Sequence, residues 1–241
     1  MKSMKKLLAA LAFAPALAWA SGAELPLDKA PIDLTDHASL QRGAKVFVNY
    51  CLNCHSATAM RYNRMQDIGL TEEQIKANLL FAGDKPGEQM KVGMAKDDAK
   101  QWFGATPPDL SVISRSRGSD WLYTYLRSFY RDPSRPTGWN NTVFDKVGMP
   151  HVLWDLQGVQ EARFTEHEGQ HHFEKFELVE PGSVSPAQYD AMVGDLVNYL
   201  TWMGEPAQLQ RKQTGVIVLA FLAFFFVVAY YLKKEFWKDI H

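Results

Sequence analysis

Apolar and polar residues alternate along this chain of 241 residues mainly with the period of an α-helix. The period is clearest in three stretches: residues 36–51, a stretch that begins at about Ser119, and residues 185–204. Each of them predicts an amphipathic helix. The third stretch opens with the run Ser-Pro-Ala-Gln at 185–188, which combines an N-cap, a first-turn proline and a capping-box glutamine. Thr71 with Gln74 three positions later predicts another, shorter helix. The pattern indicates a mainly α-helical fold.

Other patterns interrupt the helices. Residues 159–180 alternate apolar and polar on both sides of Glu168-Gly169, which predicts a small β-hairpin. Residues 82–110 are rich in Gly, Pro, Lys and Asp and predict a long loop that closes with the Pro-Pro-Asp-Leu run at 107–110. Residues 131–141 predict a second loop. Loops as long as the first tend to be functional or to cover a site.

An apolar segment lies near each end of the chain. Three lysines, a short apolar run and an Ala-Trp-Ala sequence at 18–20 are typical of a secretory signal peptide over residues 1–20, with a short uncleaved anchor as the alternative. Residues 214–232 contain no charge for 19 positions, which is enough to cross a bilayer as a helix. A buried core helix would show a polar stripe, and this segment has none. We therefore expect one transmembrane helix.

These segments divide the chain into four parts. We expect a signal peptide at 1–20, a periplasmic domain at 21–210, a transmembrane anchor at 211–232 in contact with membrane lipid, and a cytoplasmic tail at 233–241. This arrangement corresponds to a single-pass protein of the bacterial inner membrane. Residues 21–210 hold 25 acidic and 18 basic side chains, a net charge near −7. That charge favours a basic protein partner and disfavours nucleic acid, although it could also serve solubility alone.

The candidate chemistry lies in the run CLNCH at 51–55, which contains both cysteines of the chain. A Cys-x-x-Cys pair followed directly by histidine is typical of covalent haem attachment, in which two thioether bonds hold the porphyrin and the histidine binds the iron. A zinc site would lack ligands, and a thioredoxin-like site would lack the strand that precedes its motif. The sequence predicts one haem c on Cys51 and Cys54, with His55 as an axial ligand.

The sixth iron ligand decides what such a haem does, because a thioether closes the iron to substrates and raises its potential. The candidates are Met60, Met65, Met90, Met94, Met149, Met192 and Met203. The run KVGM occurs twice and ends once at Met94 and once at Met149. Met94 precedes the charged run AKDDAK, which we interpret as solvated loop. Met149 precedes PHVLW, where Val152, Leu153 and Trp154 can wall a haem, so local composition favours Met149.

One motif competes with this interpretation. Residues 167–171 read HEGQH and match the HExxH pattern of zinc proteases. That pattern needs a helix to bring both histidines to one face, whereas glycine and period-two flanks place this copy in a hairpin turn. We expect a solvated turn. We interpret His151 as a core or surface histidine, with a position near the haem as the alternative.

The chain resembles the cytochrome c1 family, the haem subunit of the quinol:cytochrome c oxidoreductase complex. The resemblance is carried by CLNCHSATAMRYNR, PPDLSVISRSRG, GMPHVLWDLQG, MVGDLVNYLTWMGEP and RKQTGVIVLAFLAFFFVVAYYLKKEFW. It implies a c-type cytochrome fold with long loop insertions, a small hairpin and one C-terminal transmembrane helix. Proline follows the distal methionine directly, unlike in many members, and the cysteine pair that anchors a loop in some bacterial relatives is absent.

The resemblance also implies roles for particular residues. Met149 matches the distal methionine, and Arg117 matches an arginine that pairs with a haem propionate, with Arg115 as the weaker candidate. Pro108 and Trp121 would line the pocket by position. The family accepts one electron from a Rieske iron–sulfur protein, works beside a cytochrome b subunit in a dimeric complex, and delivers the electron to a cytochrome c.

Two alternatives to that function stay open. An anchored cytochrome c could donate electrons to a terminal oxidase or a reductase without any cytochrome b partner. An anchored thiol oxidoreductase would keep Cys51 and Cys54 free. On the first interpretation the chain alone is a carrier, and catalysis belongs to the complex.

Overall fold

The computed structural model describes residues 26–167 and 170–239, with the side chains of 167–172 left out of the description. The predicted signal peptide lies outside the described residues. In chain order the helices are α1 His37–Val46, α2 Glu72–Asn78, α3 Lys96–Phe103, α4 Ile113–Arg117, α5 Ser119–Arg127, α6 Trp154–Gln157, α7 Pro186–Gly204 and α8 Gln208–Phe236. The strands are β1 Ala57–Arg61, β2 Gln89–Met90, β3 Phe129–Arg131, β4 Trp139–Asn141, β5 Gly158–His167 and β6 Gln170–Pro181. They pair in sequence order as three antiparallel two-stranded sheets.

Helices α1 and α7 cross at the centre of the domain. Gly43 makes the crossing close, since a Cβ atom there would collide with the carbonyl oxygen of Asp195. Arg42 binds the Asp195 carboxylate through two hydrogen bonds of 2.6 and 2.9 Å, and the rings of Phe47 and Tyr199 pack 5.6 Å apart. The crossing fixes the position of the C-terminal end of α1, where the Cys-x-x-Cys-His run begins.

The helix predictions are confirmed. Helix α1 continues through a π-helical turn, Phe47–Cys51, into the Cys-x-x-Cys-His run, as the period from 36 to 51 predicts. Thr71 and Ser185 both form complete capping boxes, with Gln74 and Gln188 respectively. Helix α5 begins at the predicted Ser119. The predicted hairpin is the β5–β6 pair.

The predicted loops are wrong in part. Residues 82–110 contain β2 and α3, and the run AKDDAK, predicted as loop, starts α3. Asp97 and Asp98 lie in the first turn of that helix, where they interact favourably with its dipole, and Ala99 is buried beneath it. Residues 131–141 end in β4, which pairs with β3. The high glycine, proline and charge content of these segments concealed the helix and the strands.

Helix α8 is 29 residues long, about 43 Å at 1.5 Å per residue, and includes the predicted span. Within the described residues it is the one helix that is long and apolar enough to cross a membrane. None of its residues is buried against the domain. The chain therefore has a C-terminal anchor helix whose apolar surface is free to face lipid.

Candidate functional site

An apolar cavity of about 330 Å³ lies where the end of α1, helices α4, α5 and α7 and two loops meet. The predicted site residues that line it are Cys51, Cys54, His55, Pro108, Arg117, Trp121 and Met149. Arg115 is not in its lining. Residues from three distant parts of the sequence thus meet in one cavity, although the role of each stays a prediction.

His55 is held in one tautomer by the backbone. Its Nδ1 atom lies 2.7 Å from the carbonyl oxygen of Pro108, which can only accept a hydrogen bond, so Nδ1 carries the proton. The Nε2 lone pair is then available to a metal, and a backbone carbonyl on the far nitrogen is the usual way to orient a ligand histidine. Burial lowers the pKa of His55, which favours the neutral, metal-binding form.

Pro108 is fixed in turn by its neighbour, Asp109. The Asp109 carboxylate accepts hydrogen bonds from the backbone N–H and hydroxyl of Thr58, at 2.9 and 2.8 Å, and from the backbone N–H of Ser111 at 2.8 Å. The backbone N–H of Leu110 donates to the carbonyl of Ser56 at 2.8 Å. The segment 107–111 is therefore fastened to the strand that directly follows the Cys-x-x-Cys-His run.

The two cysteines lie on a tight turn that aims them at the cavity. The N–H groups of Cys54 and His55 both donate to the carbonyl of Cys51, at 3.1 and 2.8 Å. The two thiols are not joined in a disulfide. Burial raises the pKa of Cys51 to about 12, with a smaller contribution from nearby Cys54, and burial also raises the pKa of Cys54. A redox-active dithiol needs a lowered pKa, so this environment argues against an exchange site.

Met149 is distant from the cysteine turn in the sequence, and its sulfur contacts α5. The hydroxyl of Tyr125 donates to the Met149 Sδ atom at 3.4 Å. Among the methionines of the described residues, Met149 is the one in the cavity lining. Met60, Met65, Met90 and Met203 are buried in the core, and Met94 lies outside the lining.

The residues that follow Met149 line the cavity only in part, contrary to the prediction. Val152 lines the cavity, as predicted, but Leu153 is buried in the core and Trp154 is 51% exposed. His151 also lies outside the lining, stacked on Phe129 with ring centroids 4.8 Å apart. The expectation that Leu153 and Trp154 wall the cavity is wrong, because the short helix α6 starts at Trp154 and turns the chain away.

Arg115 and Arg117 point to different places. The Arg117 guanidinium lies 5.2 Å from the ring of Trp121 and 5.9 Å from that of Phe144, at the wall of the cavity. Within the part of the chain that the structure describes, no carboxylate pairs with it. Arg115 instead binds Glu205 at 2.9 Å. Residues two positions apart on a helix lie on opposite faces, so only one of the two arginines can face the cavity.

Several lining residues were not predicted from the sequence. The aromatic ones are Tyr50, Phe103, Tyr125 and Phe144. Tyr125 stacks on Trp121 with ring centroids 4.8 Å apart, and its position four residues after Trp121 on one helix was the available signal. Phe103 belongs to α3, which was predicted as loop, so nothing indicated its direction.

The described residues of the HExxH run, which are 167, 170 and 171, lie in β-strands. His167 ends β5 and Gln170 begins β6, where the two residues pair across the hairpin. Across the described residues no group of three histidine, cysteine or acidic side chains could hold a metal ion. The side chains of 167–172 are not among those described.

The cavity fits a flat apolar group with an acidic edge. Its walls are largely apolar, two thiols and a histidine nitrogen lie on one side, a thioether lies in the wall, and an arginine without a carboxylate partner among the described residues is available for an acidic edge. These are the attachment, ligand and charge groups that a covalently bound haem requires. Together with the anchor helix, they define the class of the protein: it is a membrane-anchored c-type cytochrome.

Comparison with known proteins specifies the class further. The family described as "Cytochrome C1 family" matches residues 28–168 and 175–240, and the chain belongs to that family. Its members carry a covalently attached haem c, and the chain is accordingly a membrane-anchored haem subunit of the cytochrome bc1 complex.

Three relatives show how far the similarity extends. Cytochrome c1 of Allochromatium vinosum is 53% identical over 99% of this chain and all of that protein. The ammonia monooxygenase gamma subunit of Nitrosomonas europaea is 51% identical over the whole of both chains. The mitochondrial cytochrome c1 haem protein of Saccharomyces cerevisiae is 27% identical over 94% of this chain and 73% of that protein.

Proposed function

We propose that this chain receives one electron from a Rieske iron–sulfur protein and passes it to a cytochrome c. The observation that carries the proposal is the meeting of Cys51, Cys54, His55 and Met149 in one apolar cavity. When bound, haem c supplies a one-electron couple at this place. The chain alone is a carrier, and quinol oxidation belongs to the complex that also contains cytochrome b.

Each residue has a separate task in this proposal. The thiols of Cys51 and Cys54 would hold the haem covalently, and His55 would bind the iron through Nε2 while the carbonyl of Pro108 holds Nδ1. The Met149 thioether would also bind the iron, and a thioether ligand would keep small molecules away from the iron and raise its potential. Arg117 pairs with a propionate, and Trp121 with Pro108 forms part of the wall.

The location follows from the two ends of the chain. We infer a single-pass protein of the bacterial inner membrane, with residues 21–210 in the periplasm and residues 233–241 in the cytoplasm. The N-terminal signal-like sequence supports this orientation, because it directs export of everything up to the anchor helix. The dimeric state of the complex is part of the same proposal and rests on the family resemblance.

The acceptor is proposed to be a basic cytochrome c. The net charge near −7 over residues 21–210 supports a positively charged partner. Salt screens such attraction over about 8 Å at physiological ionic strength. The rate of transfer to a basic cytochrome c should therefore fall as salt increases, whereas a rate that is independent of salt would contradict this choice of acceptor.

A second function has one specific observation in its favour. The N. europaea relative carries the name of a monooxygenase subunit, so a close relative is assigned to a different enzyme. A carrier that donates to an oxidase, a reductase or an oxygenase would use the same cavity. Purification through a tag on this chain separates the two: cytochrome b and a Rieske protein should accompany it, and recovery with another enzyme in their place would favour the alternative.

The ligand assignment is tested by substitution of the two methionines of the KVGM runs. Met149→Leu should abolish the methionine-to-iron band of the oxidised spectrum, and Met94→Leu, the matched control, should keep it. Haem staining after denaturation measures whether attachment survives in both variants. A band that survives in Met149→Leu and disappears in Met94→Leu would reverse the assignment.

A further inference from the structure

The loop that ends at Met149 is folded around the side chains of two adjacent asparagines. Asn140 and Asn141 close strand β4 and are only 4% and 1% exposed. Between them and Met149 the chain has no helix or strand, yet Phe144, Val147 and Met149 all reach the cavity. Because the loop has no regular backbone hydrogen bonding, side-chain hydrogen bonds hold it in its conformation.

The oxygen and the nitrogen of the Asn140 side-chain amide both form hydrogen bonds. The Oδ1 atom accepts from the backbone N–H groups of Asn141 and Lys146, each at 2.9 Å. The Nδ2 group donates to the carboxylates of Asp132 and Asp145, each at 3.0 Å. One buried amide thus joins both ends of the loop to the preceding turn.

The backbone conformation of Lys146 shows how tightly its hydrogen bond to Asn140 holds the loop. Its φ angle is +58°, in the left-handed region that a residue with a side chain rarely adopts. The bond from its N–H to Asn140 and a second bond of 3.0 Å from the Arg135 guanidinium to its carbonyl hold it there. Lys146 is three residues before Met149, so this conformation sets the direction in which the chain enters the cavity.

Asn141 links the loop to the helix that contacts Met149. Its Oδ1 atom accepts from the N–H groups of Val143 and Phe144, at 2.9 and 3.1 Å, and its Nδ2 group donates to the carbonyl of Tyr125 at 2.8 Å. The hydroxyl of the same tyrosine contacts Met149 Sδ. The loop and the methionine are therefore both bound to Tyr125.

We propose that Asn140 and Asn141 are positioning residues that hold the Met149 thioether where it would bind the haem iron. The proposal rests on the proposed role of Met149. A methionine side chain is flexible and its sulfur is a weak ligand, so the loop that carries it must be rigid for the bond to persist. Loosening the loop should open the sixth position of the iron without any change to the attachment residues.

The chain offers a matched control in Asn198. It is likewise 1% exposed and makes three hydrogen bonds, to the backbone N–H and carbonyl of Asp33 and to the hydroxyl of Ser39. It joins α7 to the start of α1 and is not in the cavity lining. Loss of its amide should destabilise the domain as a structural asparagine does, with no specific effect on Met149.

The experiment compares Asn140→Asp, Asn141→Asp and Asn198→Asp in the full-length haem-loaded protein. Each substitution keeps the volume and removes the amide donor. The first two variants should lose most of the methionine-to-iron band, shift the reduction potential downward and bind carbon monoxide in the reduced state. Asn198→Asp should lower the melting temperature but keep the band and exclude carbon monoxide. Retention of the band by both loop variants would overturn the proposal.

Two further measurements separate the possible failures. If Met149→Leu keeps the band, the ligand assignment of the proposed function is wrong. If Met149→Leu loses it while both loop variants keep it, only the positioning role is wrong. Should the loop variants fail to bind haem, hydrogen exchange of the unaltered protein decides: the amides of Val143, Phe144 and Lys146 should exchange as slowly as those of α7, and exchange at the rate of an exposed loop would overturn the proposal.

Discussion

The Nδ1 atom of His55 donates a hydrogen bond of 2.7 Å to the carbonyl oxygen of Pro108, 53 residues away in the sequence. This bond decides which ring nitrogen faces the cavity, because the carbonyl can only accept. It depends on the position of the segment 107–111, which Asp109 fastens to β1 through Thr58. The geometry of the histidine is thus set from outside the Cys-x-x-Cys-His run.

Asp109→Asn should destabilise the protein at neutral pH. Burial alone would raise the pKa of Asp109, but hydrogen bonds from Ser111 and Thr58 outweigh it and lower that pKa below its ordinary value of 3.8. A charged acceptor contributes more than a neutral one, yet this side chain is exposed, so we expect a cost of only about 1 kcal/mol. Thermal unfolding of the full-length protein, followed by circular dichroism, measures it.

The same contribution should depend on pH. A carboxylate with a lowered folded-state pKa stabilises the fold above 3.8 and loses this effect as the pH falls through the folded value. The difference in melting temperature between the unaltered protein and Asp109→Asn should therefore shrink as the pH falls below 3.8. A difference that grows on acidification would contradict this account of Asp109.

Arg117→Gln should lower the reduction potential of the haem. The Arg117 guanidinium lies at the cavity wall over Trp121, where a positive charge favours the reduced iron. A change of about 1 kcal/mol in the free energy of reduction corresponds to a fall on the order of 40 mV in the reduction potential of a one-electron couple. Potentiometric titration gives the value.

Arg115→Gln is the control for that substitution. Arg115 is already paired with Glu205 and lies outside the cavity lining, so its loss should shift the potential much less. A larger shift in the Arg115 variant than in the Arg117 variant would mean that the assignment of the two arginines is reversed.

Gly43→Ala should destabilise the domain strongly. A methyl group at this position meets the backbone of Asp195 and the Cβ atom of Tyr199, so α1 and α7 would have to separate. Overpacking of this kind costs about 1–3 kcal/mol, and more when only backbone can move. Gly93→Ala adds the same methyl group where nothing lies within 4 Å, and its effect should stay within about 0.5 kcal/mol. The stability of both variants is measured by thermal unfolding. Equal losses of stability in the two would show that α1 and α7 do not cross closely at Gly43.

Glu205→Gln should loosen the junction between the haem domain and the anchor helix. Glu205 accepts hydrogen bonds from Arg115 on α4 and from Arg211 on α8, and these bonds hold its pKa below the ordinary range, with Arg211 as the main cause. The variant should be cleaved faster by a nonspecific protease between α7 and α8. Glu235→Gln, which removes the carboxylate that binds Lys238 near the far end of α8, should be cleaved there at the normal rate. An unchanged rate of cleavage in the Glu205 variant would show that the bonds from Arg115 and Arg211 to Glu205 do not restrain the junction.

The prediction of local structure succeeded where neighbouring residues carry the signal. Ser185 with Gln188 and Thr71 with Gln74 mark helix starts through bonds within one turn, so the sequence alone reveals them. It failed at α3, which is helical although its sequence is flanked by glycines and rich in charge, and in which Ala99 is the one buried residue. The same failure hid the contribution of Phe103 to the cavity lining.

By itself, the sequence determined the helical class of the domain, the anchor helix and the attachment motif, because periodicity, an uncharged run and a fixed spacing are all local. Only the tertiary structure decided which of two nearby arginines reaches the cavity, which carbonyl orients His55 and how the loop before Met149 is held. Those features depend on contacts between residues tens of positions apart, such as Asn141 with Tyr125 and His55 with Pro108. No local pattern encodes such contacts, because their free energy exists only once the helices have packed together.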